Sequence, residues 1–264
     1  MRLRVTLRGT DRRGDDELTA PRRDGAGCPT SHSLRPWPSS VVATAEGTAS
    51  APTVDLIYRA AARGADCWAR NHHGQVRDLP MTRWFAGPNT TTADQVADDH
   101  ILAHCSERPT LDVGCGPGRF TAALQRRGHA ALGVDTSQAA VDLTRARGGT
   151  ALRADVFGPL PAEGCWDHIL LADGNIGIGG DPVKILRRVA DLLAPGGSVI
   201  AEIDSRSPLP GREMLRWETE HQVGHWFPWS RVGPGELRVI ANTAGLNVAE
   251  IVDIHSRIIA VLTV

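Results

Sequence analysis

Short apolar stretches alternate with amphipathic ones from Pro109 onward, and this alternation restricts the fold more than any other feature of the chain. It predicts five strands with helices among them: strands at 110–113, 130–134, 151–154, 168–172 and 198–203, and helices at 119–127, 137–147 and 182–193. Strands joined through helices pair in parallel, and the helices then cover both faces of the sheet. The sequence therefore predicts an α/β domain around a parallel sheet.

Two further strands are predicted at 248–254 and 257–264, with only His255 and Ser256 between them. A parallel crossover needs about a dozen residues, so these two strands can pair only in antiparallel fashion. The predicted fold is an α/β, seven-stranded, mostly parallel sheet with an antiparallel C-terminal hairpin and helices on both faces.

The chain before Pro109 divides into two segments. Residues 1–52 are rich in Arg, Gly, Pro, Ser and Thr without a sustained apolar period, which predicts a disordered N-terminal tail. Residues 53–106 are predicted as a helical segment and a candidate lid over the domain at 107–264. Within this segment the pattern predicts two helices and a polar, aromatic loop between them, at 54–70, 92–105 and 72–85.

Composition and charge limit the binding partners. A net charge of −1 over 264 residues gives no field that would hold a nucleic-acid backbone or an anionic membrane. The apolar runs are too short to span a bilayer, and no secretory signal follows the N-terminal arginines. The five cysteines show no CxxC spacing. These features predict a cytoplasmic protein without nucleic acid, membrane or metal, and they leave the oligomeric state open.

A glycine-rich loop follows the first predicted strand in the segment LDVGCGPGRF, residues 111–120. Gly114, Gly116 and Gly118 permit a tight turn and let a ligand approach the backbone closely. A nicotinamide dinucleotide site would carry its third glycine at position 119, where this chain has Arg119. The alternative is a plain strand-to-helix turn, which rarely needs three glycines at this spacing.

Acidic residues end the next two predicted strands. Asp135 ends the second strand, where a carboxylate can accept hydrogen bonds from both hydroxyls of an adenosyl ribose. Asp155 ends the third strand, where its carboxylate would accept from the exocyclic amine of an adenine that lies against Val156. As an alternative, either acid only caps a helix or a turn.

These segments together resemble the class I S-adenosylmethionine-dependent methyltransferases, over about residues 93–264. LDVGCGPGRF is similar to that family's glycine motif, LGVDTS to its ribose-binding strand end, RADVF to its adenine-side acid, and LLAPGGSVIAEID to its fifth strand with the preceding turn. The resemblance implies a Rossmann-like fold, S-adenosylmethionine as the cofactor, and a glycine loop that faces the methionine part of that cofactor. The implied cofactor-binding residues are Asp112, Gly114, Cys115, Gly116, Pro117, Gly118, Asp135, Thr136, Asp155, Val156 and Asp173.

A long glycine-rich loop follows the fourth predicted strand, at the carboxyl edge where methyl donor and acceptor would meet. It begins with Asp173, Gly174 and Asn175, and Asp173 and Asn175 are candidate catalytic residues. The family's enzymes for exocyclic or amide nitrogens carry Asn/Asp-Pro-Pro-aromatic here. Its absence from this chain argues against a nucleic-acid base as acceptor. The alternative is that both residues only shape the loop.

Two histidines and an aromatic cluster lie after the fifth predicted strand. His221 and His225 are candidate bases that would take a proton from the acceptor, or else members of an ordinary polar face. A metal site there would need at least a third ligand. The cluster at 226–229, Trp-Phe-Pro-Trp, is predicted either to pack in the core or to enclose an apolar acceptor together with the loop at 173–180.

The sequence thus predicts an S-adenosylmethionine-dependent methyltransferase that acts on a small-molecule acceptor. One alternative is a nicotinamide-dependent oxidoreductase, against which Arg119 argues. An aminopropyl transferase would need an acidic cluster after the fourth strand, and the chain has none there. A third alternative is a non-catalytic partner protein with the same fold. The identity of the acceptor, and whether oxygen, nitrogen or carbon is methylated, stay open.

Overall fold

The computed structural model describes residues 52–87, 89–204 and 211–264, so the tail predicted at 1–52 lies outside the described residues except for its last position. The elements in chain order are α1 (Pro52–Ala61), β1 (Trp68–Asn71), β2 (Val76–Asp78), α2 (Met81–Trp84), α3 (Thr92–Ala103), β3 (Thr110–Val113), α4 (Arg119–Arg126), β4 (Ala131–Asp135), α5 (Gln138–Ala146), β5 (Ala151–Arg153), β6 (Trp166–Leu171), α6 (Pro182–Leu192), β7 (Leu193–Ile203), β8 (Gly211–Glu218), β9 (Phe227–Arg231), α7 (Pro234–Thr243), β10 (Asn247–Ile254) and β11 (Arg257–Thr263). A short 3₁₀ segment, Ala172–Gly177, follows β6.

Seven strands form the central sheet in the order β10-β11-β7-β6-β3-β4-β5. Five of these strands, in the order β7-β6-β3-β4-β5, pair in parallel. Strand β11 runs antiparallel to β7, from Ile258 opposite Ile203 to Thr263 opposite Ser198, and β10 runs antiparallel to β11. The predicted fold class is confirmed, including the antiparallel hairpin at the C-terminus.

Buried apolar side chains join the helices to the sheet in separate clusters. One cluster contains Ile185 and Leu237 of α6 and α7, and another contains Ile101 and Phe120 of α3 and α4. Trp166 at the start of β6 is fully buried, and its indole N–H donates to the carbonyl of Pro161 over 3.1 Å. Among the described residues, none of the helices is long and apolar enough to span a membrane.

A second sheet, which the sequence did not predict, has four antiparallel strands in the order β2-β1-β8-β9. It joins chain segments from both ends of the described residues, because Trp68 of β1 pairs with Glu218 of β8. Two predictions are therefore wrong. The helix predicted at 54–70 ends at Ala61, and the loop predicted at 72–85 contains both β2 and α2.

The physical reason for the first error is a turn at Gly64, whose φ of +88° suits glycine and ends the helix. After this turn the chain pairs with a strand far away in the sequence, and such pairing overrides local periodicity. Glu218 then anchors the sheet, since its buried carboxylate accepts from Trp68 over 2.7 Å and from Arg70 over 2.9 Å. These hydrogen bonds, with one from Arg216, lower the pKa of Glu218 to about 2 against the opposing effect of burial.

A buried network of ion pairs connects the C-terminal hairpin to the helices. Arg257 of β11 donates to Glu202 of β7 over 2.7 and 2.8 Å and to Asp98 of α3 over 2.7 Å. Asp98 also pairs with Arg119, the first residue of α4. Arg257 is only 7% exposed, so these charges are shielded from water and depend on one another.

We expect Arg257→Ala to lower the free energy of unfolding by about 3–5 kcal/mol, because Glu202 would keep a buried charge without a cation. Urea denaturation followed by circular dichroism measures this change. Arg238→Ala is the matched control, since Arg238 lies exposed on α7, and it should change the free energy by less than about 0.5 kcal/mol. Equal losses in the two variants would contradict a stabilising role of the network.

Candidate functional site

The glycine loop between β3 and α4 needs glycine for steric reasons. Gly114, Gly116 and Gly118 have φ values of +68°, +52° and +82°, a region that other residues rarely adopt. A Cβ atom at Gly114 would lie 2.7 Å from the side-chain nitrogen of Asn175, and one at Gly118 would lie 2.6 Å from Thr144. The loop is therefore packed closely on one side while its Gly114–Gly116 part faces a cavity.

Two carboxylates support the loop. Asp135 at the end of β4 accepts from the backbone N–H of Gly116 over 3.0 Å and from that of Ser137 over 2.8 Å. Asp112 in β3 accepts from the backbone N–H and the hydroxyl of Thr121 over 3.1 and 2.6 Å. Burial raises the pKa of each carboxyl to about 6, although these hydrogen bonds act in the opposite direction. Raised carboxyl pKa values are typical of groups that a ligand engages.

Two adjoining cavities open at the carboxyl ends of the parallel strands. The larger cavity measures about 830 Å³, and its lining includes Asp135, Thr136, Asp155, Val156, Asn175 and His225. The smaller cavity measures about 430 Å³, and its lining includes Asp112, Cys115, Gly116, Pro117, Asp173 and Asn175. Both cavities are bounded by Tyr58, Gly114, Asn175, Trp217, Phe227 and Trp229, so they meet beside the glycine loop.

Two of the residues singled out in the sequence lie away from these cavities. Gly118 directly precedes α4 behind the loop and lies against Thr144. The side chain of His221 is 84% exposed and lies 3.9 Å from Glu220. The structure therefore does not bring His221 to the cleft. His225 is exposed at the rim of the larger cavity.

Asp173 is held as a charged group by arginines. Its carboxylate accepts from Arg119 over 2.6 Å and pairs with Arg83 over 3.0 Å, while its own backbone N–H donates to Glu202 over 3.1 Å. Burial would raise the pKa of Asp173, but Arg119, Arg83 and Arg257 outweigh burial and lower it. A carboxylate with a lowered pKa is a weak proton acceptor, so this environment does not favour Asp173 as a general base.

Asn175 binds the backbone of β3 and the glycine loop. Its side-chain nitrogen donates to the carbonyl oxygens of Val113 over 2.8 Å and of Gly114 over 3.1 Å. Asn175 thus ties the loop after β6 to the loop after β3 at the point where the two cavities meet.

Comparison with known proteins agrees with this architecture. A family model described as a methyltransferase domain matches residues 110–197. The trans-aconitate 2-methyltransferase of Paracidovorax citrulli (strain AAC00-1) is 28% identical over 153 residues, which are 56% of this chain and 56% of that protein. The ubiquinone biosynthesis O-methyltransferase of Ruegeria pomeroyi (strain ATCC 700808 / DSM 15171 / DSS-3) is 27% identical over 207 residues, 72% of this chain and 81% of that protein. The chain spans about half the length of the trans-aconitate methyltransferases that it matches.

A solved structure shares the fold over most of its length. The crystal structure of an S-adenosylmethionine-dependent methyltransferase from Bacteroides fragilis, in complex with S-adenosyl-L-homocysteine, superposes with a TM-score of 0.64 at 20% identity. The likeness covers 81% of this chain and 93% of that one. Residues 110–197 therefore match a methyltransferase domain, and the described chain shares the fold of that solved structure.

The cleft is covered by aromatic rings that the sequence largely did not predict. Trp217 of β8 lies at the centre, with its ring centroid 5.5 Å from Tyr58, 5.6 Å from Trp84 and 6.1 Å from Phe227. The Tyr58 hydroxyl would lie 3.2 Å from a Cβ at Gly116, directly over the glycine loop. Tyr58 is the only tyrosine in the sequence, which was the one available signal.

The predicted aromatic segment at 226–229 is divided between two environments. Phe227 and Trp229 line both cavities, with ring centroids 6.2 Å apart. Trp226 is 43% exposed, and its ring lies 4.6 Å from the guanidinium carbon of Arg216. The segment is thus part of the cavity wall rather than of the central core.

The raised pKa of Asp112 predicts how the stability of the protein depends on pH. Because the native state holds this proton more tightly than the unfolded state, wild type loses stability as the pH rises from the ordinary value near 4 to about 6. Asp112→Asn removes this titration and keeps an oxygen for both Thr121 hydrogen bonds, which go to one carboxylate oxygen. Relative to wild type, its free energy of unfolding should therefore increase over this range, by up to about 3 kcal/mol.

Urea denaturation of both proteins at several pH values measures this difference. A difference that stays constant from about pH 4 to about pH 7 would contradict the raised pKa.

Proposed function

We propose that this chain binds S-adenosylmethionine across the two cavities and transfers its methyl group to a small-molecule acceptor. The observation that carries the proposal is the order of groups along the joined cavities. Asp155 and Val156 follow the edge strand β5, Asp135 ends the neighbouring β4, and the glycine loop follows β3 and leads into the smaller cavity. An adenine, a ribose and a methionine chain are connected in the same order.

The residues present fit this cofactor. A cavity of about 830 Å³ lies within the range of ordinary ligand sites. Beside it, the backbone at Gly116 carries no Cβ, and a Cβ there would reach within 3.2 Å of the Tyr58 hydroxyl. In this proposal Asp155 accepts from the adenine amine, Val156 lies against the ring, and Asp135 accepts from the ribose hydroxyls.

In methyl transfer the main task of the protein is to align the acceptor with the methyl group. The sulfonium of the bound cofactor supplies an activated methyl group, and transfer is an in-line displacement that depends on the position of the acceptor. Tyr58, Trp217 and Phe227 cover the junction of the cavities and exclude water from it. Burial raises the pKa of Tyr58 well above its ordinary value, so its hydroxyl stays protonated and can donate a hydrogen bond.

The smaller cavity suits a small, partly apolar acceptor that also carries polar oxygen atoms. Its wall combines the rings of Trp84 and Trp229 with the guanidinium groups of Arg77 and Arg83. The side-chain nitrogen Nε1 of Trp84 is buried and has no hydrogen-bond partner among the described residues. An acceptor oxygen could accept a hydrogen bond from this indole N–H. The names of the two curated relatives also refer to small molecules, trans-aconitate and ubiquinone.

A nicotinamide-dependent oxidoreductase is the weaker candidate. The position of its third glycine is held by Arg119, which is 7% exposed and paired with Asp98 and Asp173. This side chain is part of the buried ion network, and a glycine in its place would remove a buried cation that both acids share.

Calorimetry with S-adenosylhomocysteine tests the cofactor proposal. We expect wild type to bind it, and Asp135→Ala to bind it more weakly by about 1.5–3 kcal/mol, the usual range for hydrogen bonds to a charged group. Asp142→Ala is the control, because its side chain is 51% exposed on α5, and its affinity should equal that of wild type. Binding of NAD in place of S-adenosylhomocysteine would favour the oxidoreductase, and an unchanged affinity of Asp135→Ala would show that the ribose is bound elsewhere.

Trp84→Phe tests the acceptor side, because it keeps the ring and removes the unpartnered N–H. With labelled S-adenosylmethionine and a panel of small carboxylic acids and quinols, we expect kcat/KM to fall about tenfold for the accepted compound. Binding of S-adenosylhomocysteine should not change, since Trp84 lines only the smaller cavity. A parallel loss of cofactor affinity, or an unchanged turnover, would contradict this role of Trp84.

A further inference from the structure

Three metal-ligating side chains converge at a place that has no part in the proposed methyl transfer. His100 lies on α3, His104 follows the last residue of that helix, and Glu250 lies on β10. The Nε2 atoms of the two histidines are 3.3 Å apart, and a carboxylate oxygen of Glu250 is 3.7 Å from Nε2 of His104. One ligand atom from each residue lies within 4.8 Å of the other two.

The spacing of the two histidines corresponds to that of ligands around a tetrahedral metal ion. Zinc–nitrogen bonds of about 2.0–2.1 Å at a tetrahedral angle place two nitrogen atoms about 3.3–3.4 Å apart. A separation of four residues on a helix puts two imidazoles on one face, which is the spacing of zinc ligands in helical motifs. The two rings stand at 76° to each other, and their Nε2 atoms are the atoms that approach to 3.3 Å.

Glu250 lies at ion-pair distance from His104 rather than within hydrogen-bond reach. One histidine can donate to the other over 3.3 Å, but the 3.7 Å between Glu250 and His104 exceeds a normal hydrogen bond. A divalent ion between the three groups would contact all of them and offset the negative charge of Glu250.

We propose that His100, His104 and Glu250 bind a divalent transition-metal ion of the zinc class, with water in the fourth position. Two imidazoles and one carboxylate are borderline ligands that suit zinc and its neighbours better than magnesium or calcium. Whereas the Arg257 network connects α3 to β11, the site connects α3 to β10. Its effect is therefore on the attachment of the C-terminal hairpin.

The location separates this site from the cofactor cleft. His104 precedes β3, whereas the glycine loop follows β3, so the metal site belongs to the amino end of the parallel strands. The proposal does not rest on methyl transfer, and the metal takes no part in that reaction.

Calorimetry with zinc chloride on the full chain, without an affinity tag, tests the proposal. We expect one zinc ion per chain at a strong site, and a loss of at least about tenfold in affinity for His100→Ala and for His104→Ala. His73→Ala is the matched control, because His73 is an exposed histidine on the turn between β1 and β2. It should bind zinc as wild type does.

Thermal denaturation adds a readout that distinguishes a specific site from surface binding. Zinc should raise the Tm of wild type and of His73→Ala, and raise it less in His100→Ala. If His100→Ala fails to fold, Glu250→Gln replaces it, since this exposed side chain can change without disturbing the core. Absence of a strong site in wild type, or equal zinc affinity in the control and in the ligand variants, would overturn the proposal.

Discussion

Buried ion pairs around Arg257 fix five separate stretches of the chain relative to one another. Arg257 binds Glu202 and Asp98, and Asp98 binds Arg119 at the start of α4. Arg119 in turn reaches Asp173 in the loop after β6. Because such charges cannot be left unpaired away from water, a shift of any one stretch is opposed by the others. The loops after β3 and β6, which form the floor of both cavities, take their positions from this network.

The central sheet could be predicted because each of its elements carries its own local pattern. The strands from β3 to β7 are short and apolar, the helices are amphipathic, and two residues between β10 and β11 permit only a hairpin. The second sheet has no comparable signal. All three residues of β2 are exposed, and β1 becomes a strand only through its pairing with β8 far along the chain. No window of sequence contains both partners.

The candidate site shows the same division. The positions of Asp135 and Asp155 beside the larger cavity could be predicted, because Asp135 ends β4, Asp155 follows β5, and the carboxyl edge of a parallel sheet is predictable. Arg119 entered the sequence reasoning only as a missing glycine, since its buried partners come from other elements. Tyr58 lies on α1, where no sequence motif predicted a place in the cleft. The histidine spacing at 100 and 104 was visible in the sequence, but only the folded hairpin brings Glu250 beside it.

The two strand pairs of the second sheet, β1–β2 and β8–β9, lie far apart in the sequence, so they are synthesised at different times. Strands β1 and β2 leave the ribosome before the parallel strands, whereas β8 and β9 follow them. During synthesis the β1–β2 hairpin therefore exists without its neighbour, and the edge that later pairs with β8 is open. Contacts this distant in sequence form slowly, and an unpaired edge is where chains associate wrongly. A nascent chain that ends at β7 thus lacks both β8, the partner of β1, and Arg257, the cation that pairs with Glu202.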